Sequence, residues 1–270
     1  MNFEHVIENN SKTLNIKKHR LCIFCRTPLS GKEKSKEHIF PKWLQKHLRI
    51  EKTHLYQTLF RTNGGTENNR KYTFNKHVSG LVCRDCNNGW MNRLEGKAKP
   101  LLIPLLNGDR GHIEQEQCEI IAKWLYKTSL TLHSASIKEK IIPIGHYKYL
   151  YEKNQIPRGV FIAIAPINVI KEKDDLYWIE NGDWTRVTKE APTEIIKNYL
   201  KNAYKISMRA GKLSWRIIYL PRENRPAINF FEFPNDCVKY IHPCKEKKIN
   251  WNTKIAFEKL GELDSSLMYR

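Results

Sequence analysis

Four of the seven cysteines stand in two matched pairs, Cys22-Ile23-Phe24-Cys25 and Cys83-Arg84-Asp85-Cys86. A Cys-x-x-Cys sets two thiolates on one tight knuckle, each able to reach a common ion at about 2.3 Å. Two such knuckles complete a tetrahedral four-thiolate zinc site. With four sulfurs the coordination shell is closed, so such a zinc is structural and leaves no position for water or substrate. The bland alternative is two internal disulfides or ordinary buried thiols. Cys118, Cys237 and Cys244 are scattered and read as small buried hydrophobes. The 57 residues between Cys25 and Cys83 exceed the spacing of most zinc ribbons, so an insertion must lie between the knuckles.

Ten residues past Cys25 begins Ser35-Lys36-Glu37-His38-Ile39-Phe40-Pro41-Lys42-Trp43-Leu44, and directly after the second knuckle comes Asn87-Asn88-Gly89-Trp90-Met91-Asn92-Arg93-Leu94-Glu95. In order and phase these stretches resemble the HNH, or ββα-metal, endonuclease motif in its zinc-stapled form. That form has an acidic residue directly before a His, a Pro three after it, and Cys-x-x-Cys-Asn leading into a helix. The match covers about 22–100. The resemblance implies hydrolysis of a phosphodiester, most readily of DNA. His38 would act as general base, since an unperturbed imidazole accepts a proton at neutral pH. Glu37 and the side-chain carbonyl of Asn87 would hold one Mg2+ or Mn2+, an ion that prefers hard oxygen donors. Glu37 stands where Asp is commoner. The family's middle position, an Asn or His that orients the base, falls in 75–82, with His77 preferred and Asn75 second. Similar stand-alone bacterial nucleases suggest a role in defence or in a mobile element.

Elements must bring these residues together. Neighbours in a strand point to opposite faces, so Glu37 and His38 need a kink or bulge to serve one site. Asn87 follows His38 by 49 positions, and the zinc staple would return it. Pro41 starts a short helix over 41–48, with Trp43, Leu44 and Leu48 facing inward. Residues 61–66 signal a turn between strands at 55–60 and 72–74. The helix after Cys86 should run to about 98, stacking Trp90 on Leu94 and exposing Arg93, Lys97 and Lys99, before Pro100 and Pro104 break it. Asn87 and Asn88 also have an ordinary reading as cap or turn residues.

Residues 107–111 look like a junction, dividing an HNH domain (1–110) from an α+β accessory domain (111–270). In the second part Ile121, Trp124, Leu125, Thr128 and Leu132 form the stripe of a buried helix. A strand is expected in 159–170, and a hairpin about Asn181-Gly182 joins 176–180 to 183–187. A helix over 193–207 and strands at 214–220 and 227–233 complete the expected α+β fold. Trp178, Trp184, Trp215, Phe230 and Phe231 are expected in the core. Nothing there names a reaction, so substrate selection, a homodimer and a protein partner all stay open for this part.

Composition narrows the partner. Forty-seven Lys+Arg against 28 Asp+Glu give +19, of which +12 falls in 1–110 and +7 in 111–270. Solubility needs only a handful of charges, so the partner is expected to be a polyanion, with nucleic acid ahead of an anionic membrane surface. At 40% hydrophobic residues the chain is no disordered tail. No apolar run is long enough to span a bilayer. The first residues lack the pattern of a secretory leader, so a cytoplasmic location is expected. Two competing readings remain: a zinc module that binds DNA or RNA without cutting, and a ribonuclease or toxin using the same site.

Overall fold

The computed structural model describes residues 20–60, 66–109, 111–136, 141–168, 176–180, 202–221, 237–252 and the single positions 257, 258, 260 and 263. The expected turn at 61–66 lies mostly outside these residues. So do the second arm of the Asn181-Gly182 hairpin, the start of the helix predicted from 193, the strand predicted at 227–233, and Trp184, Phe230 and Phe231.

The first region holds very short elements. Strand β1 (Glu37–His38) pairs antiparallel with β4 (Val78–Ser79), and α1 (Lys42–His47) follows β1 directly. Between them a hairpin of β2 (His54–Phe60) and β3 (Thr66–Thr73) forms the insertion. Helix α2 (Arg84–Cys86) passes through a π turn, Asn87–Met91, with Gly89 off helical geometry at ψ −107, into α3 (Asn92–Asn107).

Helix α3 does not stop near 98 but continues through Pro100 and Pro104. Each proline removes one intrahelical hydrogen bond, and the two are four apart on the exposed face, where water can satisfy the freed carbonyls. Ala98, Leu102, Leu105 and Leu106 are buried on the other face and hold the helix together. It ends at Gly108, whose φ of 79° permits bonds from Gly108 N–H to Leu105 O and from Asp109 N–H to Pro104 O.

The second region is a mixed α+β assembly. After β5 (His112–Glu114) comes α4 (Gln115–Ala135), opened by a capping box of Glu114 and Gln117. Helix α5 (Ile144–Lys153) leads to a five-stranded antiparallel sheet, ordered β10-β6-β9-β8-β7. Its strands are β6 (Val160–Pro166), β7 (Leu176–Glu180), β8 (Tyr204–Ala210), β9 (Leu213–Tyr219) and β10 (Lys239–His242); β11 (Lys248–Asn250) pairs with β5. The helix predicted over 193–207 is overturned at its end: 204–207 is strand, with Tyr204 and Ile206 fully buried in the sheet. Alternation of side chains explains both faces of β6. Ile162 and Ile164 join the core under α4, while Ala163 and Ala165 pack on the other side with Cys237, Val238, Phe257, Leu260 and Leu263.

The chain turns at Gly108, within the sequence junction, but the buried core joins the two regions. Phe24, Phe40 and Leu44 from the first region share one cluster with Trp124, Leu125, Ile162 and Trp215. At this seam Lys212 N–H donates to Leu106 O, and Gly211, at φ +52°, sits so close that a Cβ would lie 2.7 Å from that same carbonyl. Among the described residues, no helix is long and apolar enough to cross a membrane.

Candidate metal centre and candidate active site

The four paired cysteines converge. Their sulfurs all lie within 4.8 Å of one another, at 3.9 Å for Cys22–Cys86 and 3.4 Å for Cys25–Cys83. A tetrahedron of 2.3 Å zinc–sulfur bonds has edges of about 3.8 Å, so the spacing fits one ion. All four are free thiols, which removes the disulfide alternative. Local backbone explains the knuckles. Arg26 takes φ 66° so that its N–H can reach back to Cys22 O, Cys83 N–H donates to the Cys22 sulfur, and Cys86 N–H donates to the Cys83 sulfur. The hydrogen bond with Cys86 pushes Cys22 down to about 4, and the same contact raises Cys86. Four adjacent thiolates repel unless a cation neutralises them. The cluster is therefore suited to a metal such as zinc.

Glu37 and His38 sit on β1, opposite Ser79 and Val78. This two-residue ladder pairs in register, and the two side chains reach different neighbours. Glu37 is buried towards α4, where Lys127 Nζ lies 3.6 Å from its Oε1. Burial raises its carboxyl pKa, while the Lys127 charge opposes the rise. His38 is half-buried, and Asn75, from the 3-10 turn Phe74–Lys76, is the polar neighbour that favours its charged form. Burial first, and then the charge of Lys42, lower its pKa, so the imidazole is neutral over a wider pH range.

Of the two candidates for the middle position, Asn75 acts on the charge of the His38 ring. His77 lies inside, stacked on the Trp178 ring (5.7 Å, 24°) and beside Phe40 (5.9 Å). Burial pushes it down to about 4. Its backbone still serves β1, because Ile39 N–H donates to His77 O. Asn87 opens the π turn, half-buried, with its N–H on Cys83 O. Among the described contacts none joins its side chain to Glu37 or His38.

Two charged groups at this place had no sequence motif to announce them. Lys127 is fully buried on α4, and its Nζ also lies 3.0 Å from Glu95 Oε1 on α3. Glu95 in turn raises the pKa of both Glu37 and His38. It is thus the neighbour that the two diverging side chains of β1 share. Glu95 was visible only as the end of the post-knuckle stretch. Lys127 sits in a helix stripe that otherwise reads as core, and a cation enclosed in such a stripe is the one signal that could have marked it.

The chain matches no protein-family model, no curated protein and no solved structure. Residue chemistry and geometry therefore carry the functional reading.

Proposed function

We propose that this chain is a metal-dependent HNH-type endonuclease that hydrolyses DNA phosphodiester bonds, with a structural zinc on Cys22, Cys25, Cys83 and Cys86. The observation that carries it is the half-buried His38 next to Glu37 on a strand whose preceding residues, Lys34 and Ser35, pair with Cys83 and Val82 at the cysteine cluster.

His38 takes the proton from the attacking water, and its lowered pKa keeps the ring ready to accept it. Asn75, the polar neighbour of that ring, would orient it as a base requires. Glu37 and Asn87 offer hard oxygens that would hold a Mg2+ or Mn2+ ion. Such an ion, when bound, supplies charge stabilisation for the phosphate and the leaving oxygen. Lys127 opposes the upward shift that burial gives Glu37 and bridges it to α3, where Glu95 adds a second carboxylate.

The test is cleavage of supercoiled plasmid with Mg2+ or Mn2+ by the wild type and by His38→Ala. Cutting that falls by a factor of about 10²–10⁴ in the variant is the expected result. If the wild type binds DNA but cuts neither DNA nor RNA, the chain is a zinc-binding nucleic-acid module. Preferential cutting of RNA makes it a ribonuclease with the same residues.

A further inference from the structure

We infer that the cleft between α3, α4 and α5 is a binding track for an unpaired stretch of nucleic acid, with Tyr151 as its stacking platform. This rests on the reading of the partner as nucleic acid and adds to it where a strand is held.

The cleft encloses about 550 Å³, and Trp90, Arg93, Lys97, Lys123 and Tyr151 are among the residues that line it. It lies on the knuckle side of α3: Trp90 packs edge-on against Phe24 between Cys22 and Cys25, at 5.2 Å. Three cations face it against one carboxylate, Glu152, which is answered by Lys148 at 3.5 Å. Arg93 and Lys97 are exposed and one turn apart on α3. Like charges at that spacing destabilise a helix. In the neighbouring helices the same spacing carries opposite charges, Glu119 with Lys123 and Lys148 with Glu152. The Arg93–Lys97 pair is therefore costly to the isolated fold, and an external polyanion removes the cost.

The aromatic side of the cleft selects the form of that polyanion. Tyr151 is 42% exposed, and among the described residues only Ile144 is another large hydrophobic so uncovered. Its ring lies 6.3 Å from that of Trp90, tilted by 56°. An exposed ring beside cations matches the way single strands are held, with phosphates on the charges and a base on the ring. In a duplex the base faces are stacked on one another and offer Tyr151 nothing.

Fluorescence anisotropy of the full chain tests this in a His38→Ala background, with one labelled sequence as single-stranded DNA, single-stranded RNA and duplex DNA. Tyr151→Ala should weaken single-strand binding about 5- to 100-fold and leave the duplex unchanged. Lys97→Gln with Lys123→Gln should lower the salt slope of single-strand binding by about 1.4, from two lost phosphate contacts. The single strand that loses more names the source, DNA or RNA. Unchanged single-strand affinity in both variants overturns the inference, and so does an equal loss for the duplex. Since circular dichroism reports whether these surface variants are folded, a loss of binding cannot be put down to misfolding. If nothing is cut but these losses are seen, the nuclease reading falls and the cleft stands. If cutting holds and the losses are absent, the cleft alone falls.

Discussion

The two regions of this molecule are held by different physics. In 20–109, β1 and β4 have two residues each, and the segments bearing Glu37, His38 and the knuckles have little regular structure. In 111–263, β6, β8 and β9 each run seven residues, and the sheet is buried on both faces. The first region depends on cross-links, four thiols around one point and a buried Lys127 between two carboxylates. The second depends on apolar area. The candidate catalytic groups belong to the cross-linked region, where side chains are fixed by a few strong contacts rather than by long ladders.

Removing the proposed zinc should therefore separate the regions most sharply. Structural zinc sites supply about 10–16 kcal/mol of apparent binding free energy. Chelation, or Cys22→Ser, should expose the amides of 20–109 to hydrogen exchange while those of β6, β8 and β9 stay protected. Equal loss of protection in both would show that they fold as one unit.

Lys127→Met attacks the second cross-link. It leaves Glu37 buried without its cation, which should cost about 3–5 kcal/mol in a denaturant titration. A loss below 1 kcal/mol would mean that Lys127 does not hold β1 to α4. His38→Ala should behave in the opposite way. The side chain is half-buried and outside the core, so unfolding should change by less than about 1 kcal/mol while any cutting falls by the factor given above.

The seam between the regions has its own test. Gly211→Ala would place a Cβ against Leu106 O in a left-handed backbone conformation, and about 1–3 kcal/mol of destabilisation is expected. A neutral result would mean that the turn between β8 and β9 can move away from α3 freely.

Acid should reveal a smaller difference. His77 and His146 are buried and pushed down to about 4. In the unfolded chain they bind protons near 6.5, so it holds more protons than the native state between those values. Stability is thus full above about 6.5 and falls as pH drops towards 4, by about 1.4 kcal/mol per unit for each group. His77→Phe should remove one such slope in unfolding titrations taken between pH 7 and 5. On the proposed nuclease reading, the lowered pKa of His38 predicts cutting that persists somewhat below pH 6.5 before protonation of the ring ends it.

The legibility of the molecule follows the range of its interactions. The knuckles were readable because each pair is local and only two such pairs had to meet. The stripe of α4 and the strand β6 were readable because 3.6- and 2-residue periods record which face is buried. The end of α3 was misread, since Pro100 and Pro104 break a helix only where their lost bonds cannot be made good. The strand at 204–207 carries an apolar pattern that fits a helix equally well, and pairing with β9 and β7 decided it.

The sequence alone determined the four cysteines that could hold a metal, the basic character of the chain and the adjacency of Glu37 and His38, because these are matters of residue type and order. Tertiary structure decided that His77 stacks on Trp178, that Lys127 and Glu95 surround Glu37, and that one core joins the two halves. Those outcomes depend on which faces of distant segments meet. Burial and charge pairing settle that only once the whole chain has closed on itself.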